Sequence, residues 1–309
     1  MQQFSSLNDV HLSKSWLTIG SFDGVHCGHQ ALLSQLVSQA HAAGDPAVVL
    51  TFFPHPAAVL RGQRGRFYIN TPEEKAALLG EQGVDVVLTL EFTREFAQIP
   101  AADFVGQLYR QLGLKQLWVG FNFALGRNRE GDIPTLQRFA EVMGFSLNVV
   151  PPYEIGGEII SSSLVRRRIA AGDVAQARAY LGRNFSVAGE VVPGDQRGRT
   201  LGIPTANIAV WPEQILPVNG IYAGWVWVDG QRRLAVTNVG SRPTFTQGAV
   251  DTTVEAYILD FHQDIYGKTI RFEFAEYLRS EERFASVEDL VKQIYLDIQK
   301  TRDLLSDEP

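Results

Sequence analysis

Short apolar runs rich in β-branched residues alternate with stretches of helical periodicity through the first 180 or so residues. Trp16–Ile19, Ala47–Phe53, Val84–Leu90, Lys115–Val119 and Phe145–Val150 each read as a buried strand. Between them, Ala31, Leu32, Leu33, Leu36, Val37 and Ala40 recur at helical spacing until Gly44 stops the pattern. Thr71-Pro72-Glu73-Glu74 predicts a helix start, with Thr71 as N-cap, Pro72 at the first position and Glu74 closing a capping box. That helix runs through Leu78-Leu79 and stops near Gly83, and Ala101–Leu112 predicts another that ends at Gly113. Two short helices flank Gly172-Asp173 and end at Leu181-Gly182. Alternating strands and helices predict a doubly wound parallel sheet.

From Phe185 onward the period changes to two. Val187, Gly189 and Val191 alternate, followed by Ile221–Val228, Leu234–Val239, Thr253–Leu259 and Ile270–Phe274. Asp229-Gly230 and Tyr266-Gly267 read as turns between them. This pattern predicts a mainly antiparallel β module. One helix closes it, capped by Ser286 with Asp289 at the third position, and with Leu290, Val291, Ile294, Tyr295 and Ile298 as its apolar stripe. The change of period divides the chain into two domains, 1–184 and 185–309.

Composition agrees with that division. The length of 309 residues suits about two domains, and 45% apolar with 20% charged residues is ordinary globular usage. A net charge of −6 argues against nucleic acid or another polyanion as the main partner. The single cysteine, Cys27, excludes an intrachain disulfide and points to a reducing cytoplasm. The N-terminal stretch lacks the apolar core of a signal peptide, and the chain has no 18-residue apolar run to span a membrane. No obligate protein partner is evident.

The densest chemistry lies at Gly20–Gln30, reading GSFDGVHCGHQ, where a strand turns through glycines into a helix. A helix N-terminus favours an anion, and His26 and His29 stand three residues apart at its entrance. Gly24 and Gly28 allow close backbone approach. His55, between Pro54 and Pro56, follows the second strand, where an open α/β sheet binds its ligands. A turn histidine held between prolines is the plain alternative. Gly120–Gly126, with Asn122 and Phe123, follows another strand, and Arg127 and Arg129 lie just beyond it. Ser161-Ser162-Ser163 reads as a helix cap, but Arg166 in the first turn opposes the helix dipole, a conflict that a bound polyphosphate resolves. Arg167 and Arg168 read as a solvated face.

In the second half, Pro204 makes Gly198–Asn207 a poor central strand. Thr205 and Asn207 alternate, so both side-chain oxygens can face one side, which suits Mg²⁺. A simple turn is the alternative there. Glu255 sits in the middle of a strand, where a glutamate is ordinarily only a solvated residue. Gly267-Lys268-Thr269 imitates the end of a Walker A loop, but the required glycine is replaced by His262 and a strand follows, so it reads as a hairpin turn.

FDGVHCGHQ resembles the H-x-G-H signature of the nucleotidyltransferases, and within them the bacterial bifunctional riboflavin kinase/FAD synthetase family. TFFPHP matches that family's T-F-x-P-H-P, and GFNFALG its G-x-[DN]-F-x-F-G with Leu125 in place of an aromatic residue. ISSSLVR matches I-S-S-T-x-I-R, with Ser163 for Thr and Val165 for Ile. GRTLGIPTANI matches the riboflavin kinase signature, and GIYA, NVGSRPTF and VEAYILDF follow in family order. The resemblance runs from about Leu17 to Arg302. It implies a Rossmann-like α/β nucleotidyltransferase domain followed by a β-barrel kinase domain. It implies ATP, riboflavin and FMN as substrates, FMN and FAD as products, and Mg²⁺. It makes His26, His29, Arg166 and Glu255 the catalytic set, with Glu255 as general base. Gly20, Phe22, Asp23, Gly24, Gly28, Asn122, Ser162, Ser163, Gly198, Gly202 and Thr205 would bind ATP, Thr205 and Asn207 metal, and His55 and Phe123 flavin. A nucleotidyltransferase for another phosphorylated acceptor and a flavin-binding sensor without catalysis are the two rival readings.

Overall fold

The computed structural model describes residues 1–194, 202–243 and 250–306. Chain contacts divide it into two compact units. The first holds Met1–Gly65 and Asn70–Ser162, and the second holds Arg66–Ile69 and the chain from Ser163 onward.

The first unit is built on β1 (Gln2–Phe4), β2 (Ser15–Ile19), β3 (Ala47–Phe53), β4 (Val86–Glu91), β5 (Leu114–Gly120) and β6 (Ser146–Val150). They form a six-stranded sheet in the order β1-β4-β3-β2-β5-β6, every pair parallel. The helices α1 (Cys27–Ala42), α2 (Pro56–Arg61), α3 (Pro72–Glu81), α4 (Ala101–Leu112) and α5 (Ile133–Met143) connect them. Burial on both faces explains the unbroken apolar runs, as in β3, whose first five residues are all buried. One core packs Leu33, Leu36 and Leu79 against one face, and another packs Phe104, Val105 and Leu108 against the other. The chain moves outward from β2 through β3 to β4, then crosses back to place β5 on the other side of β2. The direction of winding therefore reverses between β2 and β5, and their carboxyl ends flank the crevice where such sheets bind ligands.

Several elements are absent from the periodicity reading. β1 and the β7 (Glu154–Ile155) and β8 (Glu158–Ile159) pair are too short to show a period, and so is α2. α5 is also missed, although Asp132 caps it through a 3.0 Å bond from the Thr135 N–H and Gly144 ends it. The capping box at α3 is present in full: the Glu74 N–H donates to Thr71 Oγ1 and the Thr71 N–H to Glu74 Oε2.

In the second unit, α6 (Ser162–Ala170) and α7 (Val174–Leu181) precede a closed barrel. Its strands are β9 (Phe185–Val192), β10 (Ala206–Val210), β11 (Gly220–Val228), β12 (Gln231–Pro243), β13 (Val250–Ile258) and β14 (Thr269–Arg279). They run antiparallel in the order β10-β13-β12-β11-β14-β9 and close back on β10. Tyr222, Phe185, Phe272 and Phe274 are its largest fully buried aromatic side chains. The early segment Arg66–Ile69 joins this unit by a parallel bridge between Tyr68 and Gln214, and the Ile215 N–H donates to Tyr68 O.

The last helix, α8 (Val287–Leu305), is capped by Ser286 as its sequence predicts. Its apolar stripe differs from the prediction, for Tyr295 is 59% exposed and the buried positions are Asp297, Thr301 and Leu305. The reason is polar: Arg279 on β14 grips Asp297 through two nitrogens, Nη2 at 2.8 Å and Nε at 3.1 Å. That grip fixes which face of α8 turns inward. Tyr295, two residues from Asp297, then points away.

Candidate active sites

In the first unit, the loop between β2 and α1 is held in a costly conformation. Phe22 (φ 49°), Gly24 (φ 83°) and Val25 (φ 38°) all lie in the left-handed region. Glycine adopts it freely, but a bulky or β-branched residue pays of order 1–3 kcal/mol there, and such strain collects at functional sites. The loop closes on itself through a 3.1 Å bond from the Val25 N–H to Phe22 O, and Gln30 Nε2 donates to Val25 O at 2.8 Å.

His26, 5% exposed, is the N-cap of α1: its Nδ1 accepts from the His29 N–H at 3.4 Å. That bond leaves Nε2 as the proton-bearing nitrogen of a neutral His26. The two imidazoles stack, with ring centroids 3.7 Å apart and planes 18° from parallel. Burial, and after it the His26 and Lys75 charges, hold the His29 imidazole well below the ordinary histidine value. The buried Nδ1 of His29 has no hydrogen-bond partner among the described residues. An unpaired buried nitrogen beside a helix N-terminus is a group in want of a ligand.

Gly28 makes room for this stack. A Cβ there would sit 3.3 Å from the His26 ring and 3.4 Å from Tyr153 Cβ. A side chain at position 28 would therefore crowd the His26 ring. Gly20 does the same for the Phe22 ring, at 3.1 Å. Asp23 is buried, and its carbonyl accepts from Ser162 Oγ at 2.8 Å, which ties the loop to the serine motif.

Across the crevice, Phe121 and Asn122 are exposed at the end of β5. Arg129 donates to Asn122 O at 3.0 Å, and Phe123 packs on the core of the sheet. Leu125 joins that core and pairs with Gly131 in a two-bond bridge, so an aliphatic residue fills the place of an aromatic. His55 caps α2, its Nδ1 accepting from the Ala57 N–H at 3.0 Å.

Ser163 is exposed and Arg166 is half-buried in the second unit. Because α6 starts at Ser162, Arg166 is its fifth residue, beyond the first turn where the sequence reading places it. Its guanidinium lies over the Phe67 ring, 4.0 Å from the centroid. Arg167 is solvated as expected, whereas Arg168 is half-buried and reaches Asp173 at 3.5 Å.

In the barrel, register assembles the candidate site. Glu255 on β13 is directly opposite Asn207 on β10 and directly opposite Asn238 on β12. Directly paired residues carry their Cβ atoms on the same face about 5 Å apart, so three polar side chains from three strands stand in a row. The proline argument holds for Pro204 itself: β10 begins at Ala206, which leaves Thr205 just ahead of the strand and Asn207 inside it. Gly194 gives the Asn207 amide its space, since a Cβ there would fall 2.2 Å from its nitrogen. Gly202 is left-handed (φ 73°). Gly198, with the rest of Asp195–Leu201, lies outside the described residues. Asn238 is the residue sequence reasoning leaves without a role: Nδ2 donates to Glu281 Oε1 at 3.2 Å, while its buried Oδ1 has no partner among the described residues. Only its place opposite Glu255 reveals it.

The FAD synthetase family model matches residues 9–164, and the riboflavin kinase family model residues 181–305. A Listeria monocytogenes protein named bifunctional riboflavin kinase/FMN adenylyltransferase is 36% identical over 287 residues, 93% of this chain and 91% of its own. The Escherichia coli K12 protein of the same name is 38% identical over 283 residues, 91% of this chain and 90% of its own. A crystal structure described as a macrolide-efflux protein from Streptococcus pneumoniae superposes with a TM-score of 0.89 at 30% identity, over 97% of this chain and 98% of its own. Among the described residues of this chain, no helix is long and apolar enough to cross a membrane.

Proposed function

This chain belongs to the bifunctional riboflavin kinase/FMN adenylyltransferase family, and we propose that it makes FAD from riboflavin in two ATP-dependent steps. One observation carries the reading: two units, each bearing its own polar site and each overlapped by its own family model, lie in one chain. The working assignment gives FMN adenylylation to residues 1–184 and riboflavin phosphorylation to residues 185–309.

In the kinase step, the terminal ribityl hydroxyl of riboflavin attacks the γ-phosphorus of ATP. A new P–O bond forms, the bond to ADP breaks, and Glu255 accepts the hydroxyl proton. The Thr205 hydroxyl and the Asn207 amide oxygen are hard oxygen donors of the kind Mg²⁺ takes alongside substrate phosphates and water. Bound there, Mg²⁺ supplies charge neutralisation on the phosphates.

In the second step, a phosphate oxygen of FMN attacks the α-phosphorus of another ATP. The bond to pyrophosphate breaks and FAD forms. The FMN phosphate is already ionised, so this unit needs donors more than a base. The Nε2–H of His26, the neutral ring of His29 and the N-terminus of α1 supply them at the crevice. In this reading Ser162, Ser163, Arg166, Asn122 and the glycines of the loop hold the triphosphate, and His55 and Phe123 border the flavin. In this reading the protein works in the cytoplasm, where its lone Cys27 stays reduced.

The test is incubation of the protein with riboflavin, ATP and Mg²⁺, with the flavins separated over time. FMN forms first and FAD follows. Absence of both, with no FAD from supplied FMN, rejects the reading in favour of a flavin-binding protein without catalysis.

A further inference from the structure

Lys75 belongs to none of the motifs above, yet it is 8% exposed in α3. Its ammonium makes three bonds: to Thr51 Oγ1 at 3.0 Å, to Ser21 O at 3.2 Å and to Phe52 O at 3.3 Å. An ammonium has three donors, and each has its acceptor. The Thr51 hydroxyl in turn donates to Ser21 O at 3.1 Å, which closes a small network.

The acceptors lie at the carboxyl ends of the two central strands. Ser21 immediately precedes Phe22 in the strained loop that leads to His26 and His29, and Thr51 and Phe52 end β3. In a trans peptide the carbonyl and the next N–H point in opposite directions. Turning Ser21 O toward Lys75 therefore turns the Phe22 N–H away from it. Strained backbone persists only where the surroundings over-determine it, and here a buried cation does so. An apolar side chain of similar size would fill the space without the desolvation cost of a charge, so packing alone does not call for a lysine.

We propose that Lys75 is a positioning residue for adenylyl transfer: its ammonium fixes the Ser21 peptide and the end of β3, and so sets the stacked His26–His29 pair against a triphosphate. This rests on the FAD-forming activity assigned above. Burial pushes the Lys75 ammonium down to about 8, against the opposing charge of Asp23. Asp23 from the loop and His29 from α1 are the titratable groups that interact with it, and its charge in turn helps keep His29 neutral.

The test uses the full chain with Lys75→Met and, separately, Thr51→Val, each assayed for both reactions and followed by imidazole NMR. With Lys75→Met, kcat for FAD synthesis falls 10- to 100-fold, the kinase rate stays within twofold, the His29 pKa moves up, and the unfolding midpoint does not drop. With Thr51→Val, which keeps the cation but removes one anchor, kcat falls by less than tenfold at unchanged kinase rate. FAD synthesis within twofold of the parent in Lys75→Met overturns the proposal. So does a loss that merely follows the folded fraction with His29 unmoved. If Lys75→Met does not fold, Thr51→Val decides, and an unchanged kcat overturns the proposal. A parent chain that makes no FAD rejects the assigned activity instead.

Discussion

The two candidate sites are made in opposite ways. In the first unit, a single stretch from Gly20 to His29 supplies loop, cap and both imidazoles, and a buried lysine and a strained backbone hold them. In the barrel, no short stretch suffices. Asn207, Asn238 and Glu255 come from three strands and meet only because β10, β13 and β12 pair in one register. A slip of one residue would turn Glu255 to the other face. The first site therefore depends on local conformation and charge, and the second on the integrity of a ladder.

Glu255→Gln should be the sharpest cut between them. The register survives, the base is lost, and riboflavin phosphorylation falls on the order of 10²- to 10⁴-fold. FAD formation from supplied FMN continues, and a parallel loss of both rates would deny that the sites are separate. His29→Ala makes the reciprocal cut, lowering FAD synthesis on the order of 10²- to 10³-fold with the kinase intact. Near-normal FAD synthesis in that variant would remove His29 from the chemistry.

The barrel's dependence on assembly is tested by Asp297→Ala, which leaves Arg279, only 17% exposed, without its partner. A loss of roughly 3 kcal/mol in urea unfolding is expected, with the kinase lost before FAD synthesis as denaturant rises. The most gradual effect concerns the buried cation. The folded pKa of Lys75 is about 8 against an ordinary 10.5, so between those values the unfolded chain holds a proton that the folded chain has released. Stability relative to Lys75→Met should rise with pH across that window, by at most about 1.4 kcal/mol per unit. A flat difference from pH 8 to 10.5 would show that the ammonium is not desolvated.

The same contrast explains what the sequence disclosed. The central strands of the sheet, the capping box at Thr71 and the His26–His29 pair are local patterns, and the structure has all of them. Lys75 was invisible because a lysine inside a helix reads as solvated, and only tertiary packing buries it. Asn238 opens the NVGSRPTF motif, but only strand pairing places it beside Glu255. Tyr295 was assigned to the buried stripe because periodicity counts apolar residues, whereas α8 is oriented by the Arg279–Asp297 ion pair. The missed α5 is different: its cap, its proline and its terminal glycine were all in the sequence.

The early segment Arg66–Ile69 changes how the two activities can be separated. Gln214, fully buried, donates to Ile69 O and to Ser186 O, both at 3.0 Å, and Arg66 donates to Gln214 O. Phe67 and Tyr68 both donate to Glu213 O, and Tyr68 lies against Trp211 with ring centroids 5.0 Å apart. A fragment begun at residue 185 would keep the Gln214–Ser186 bond but lose every partner from Arg66–Ile69, and would present Trp211 and one face of Gln214 to water. Dividing the gene at the change of sequence period would thus produce a wounded barrel, and joining a synthetic Arg66–Ile69 peptide to that fragment should heal it.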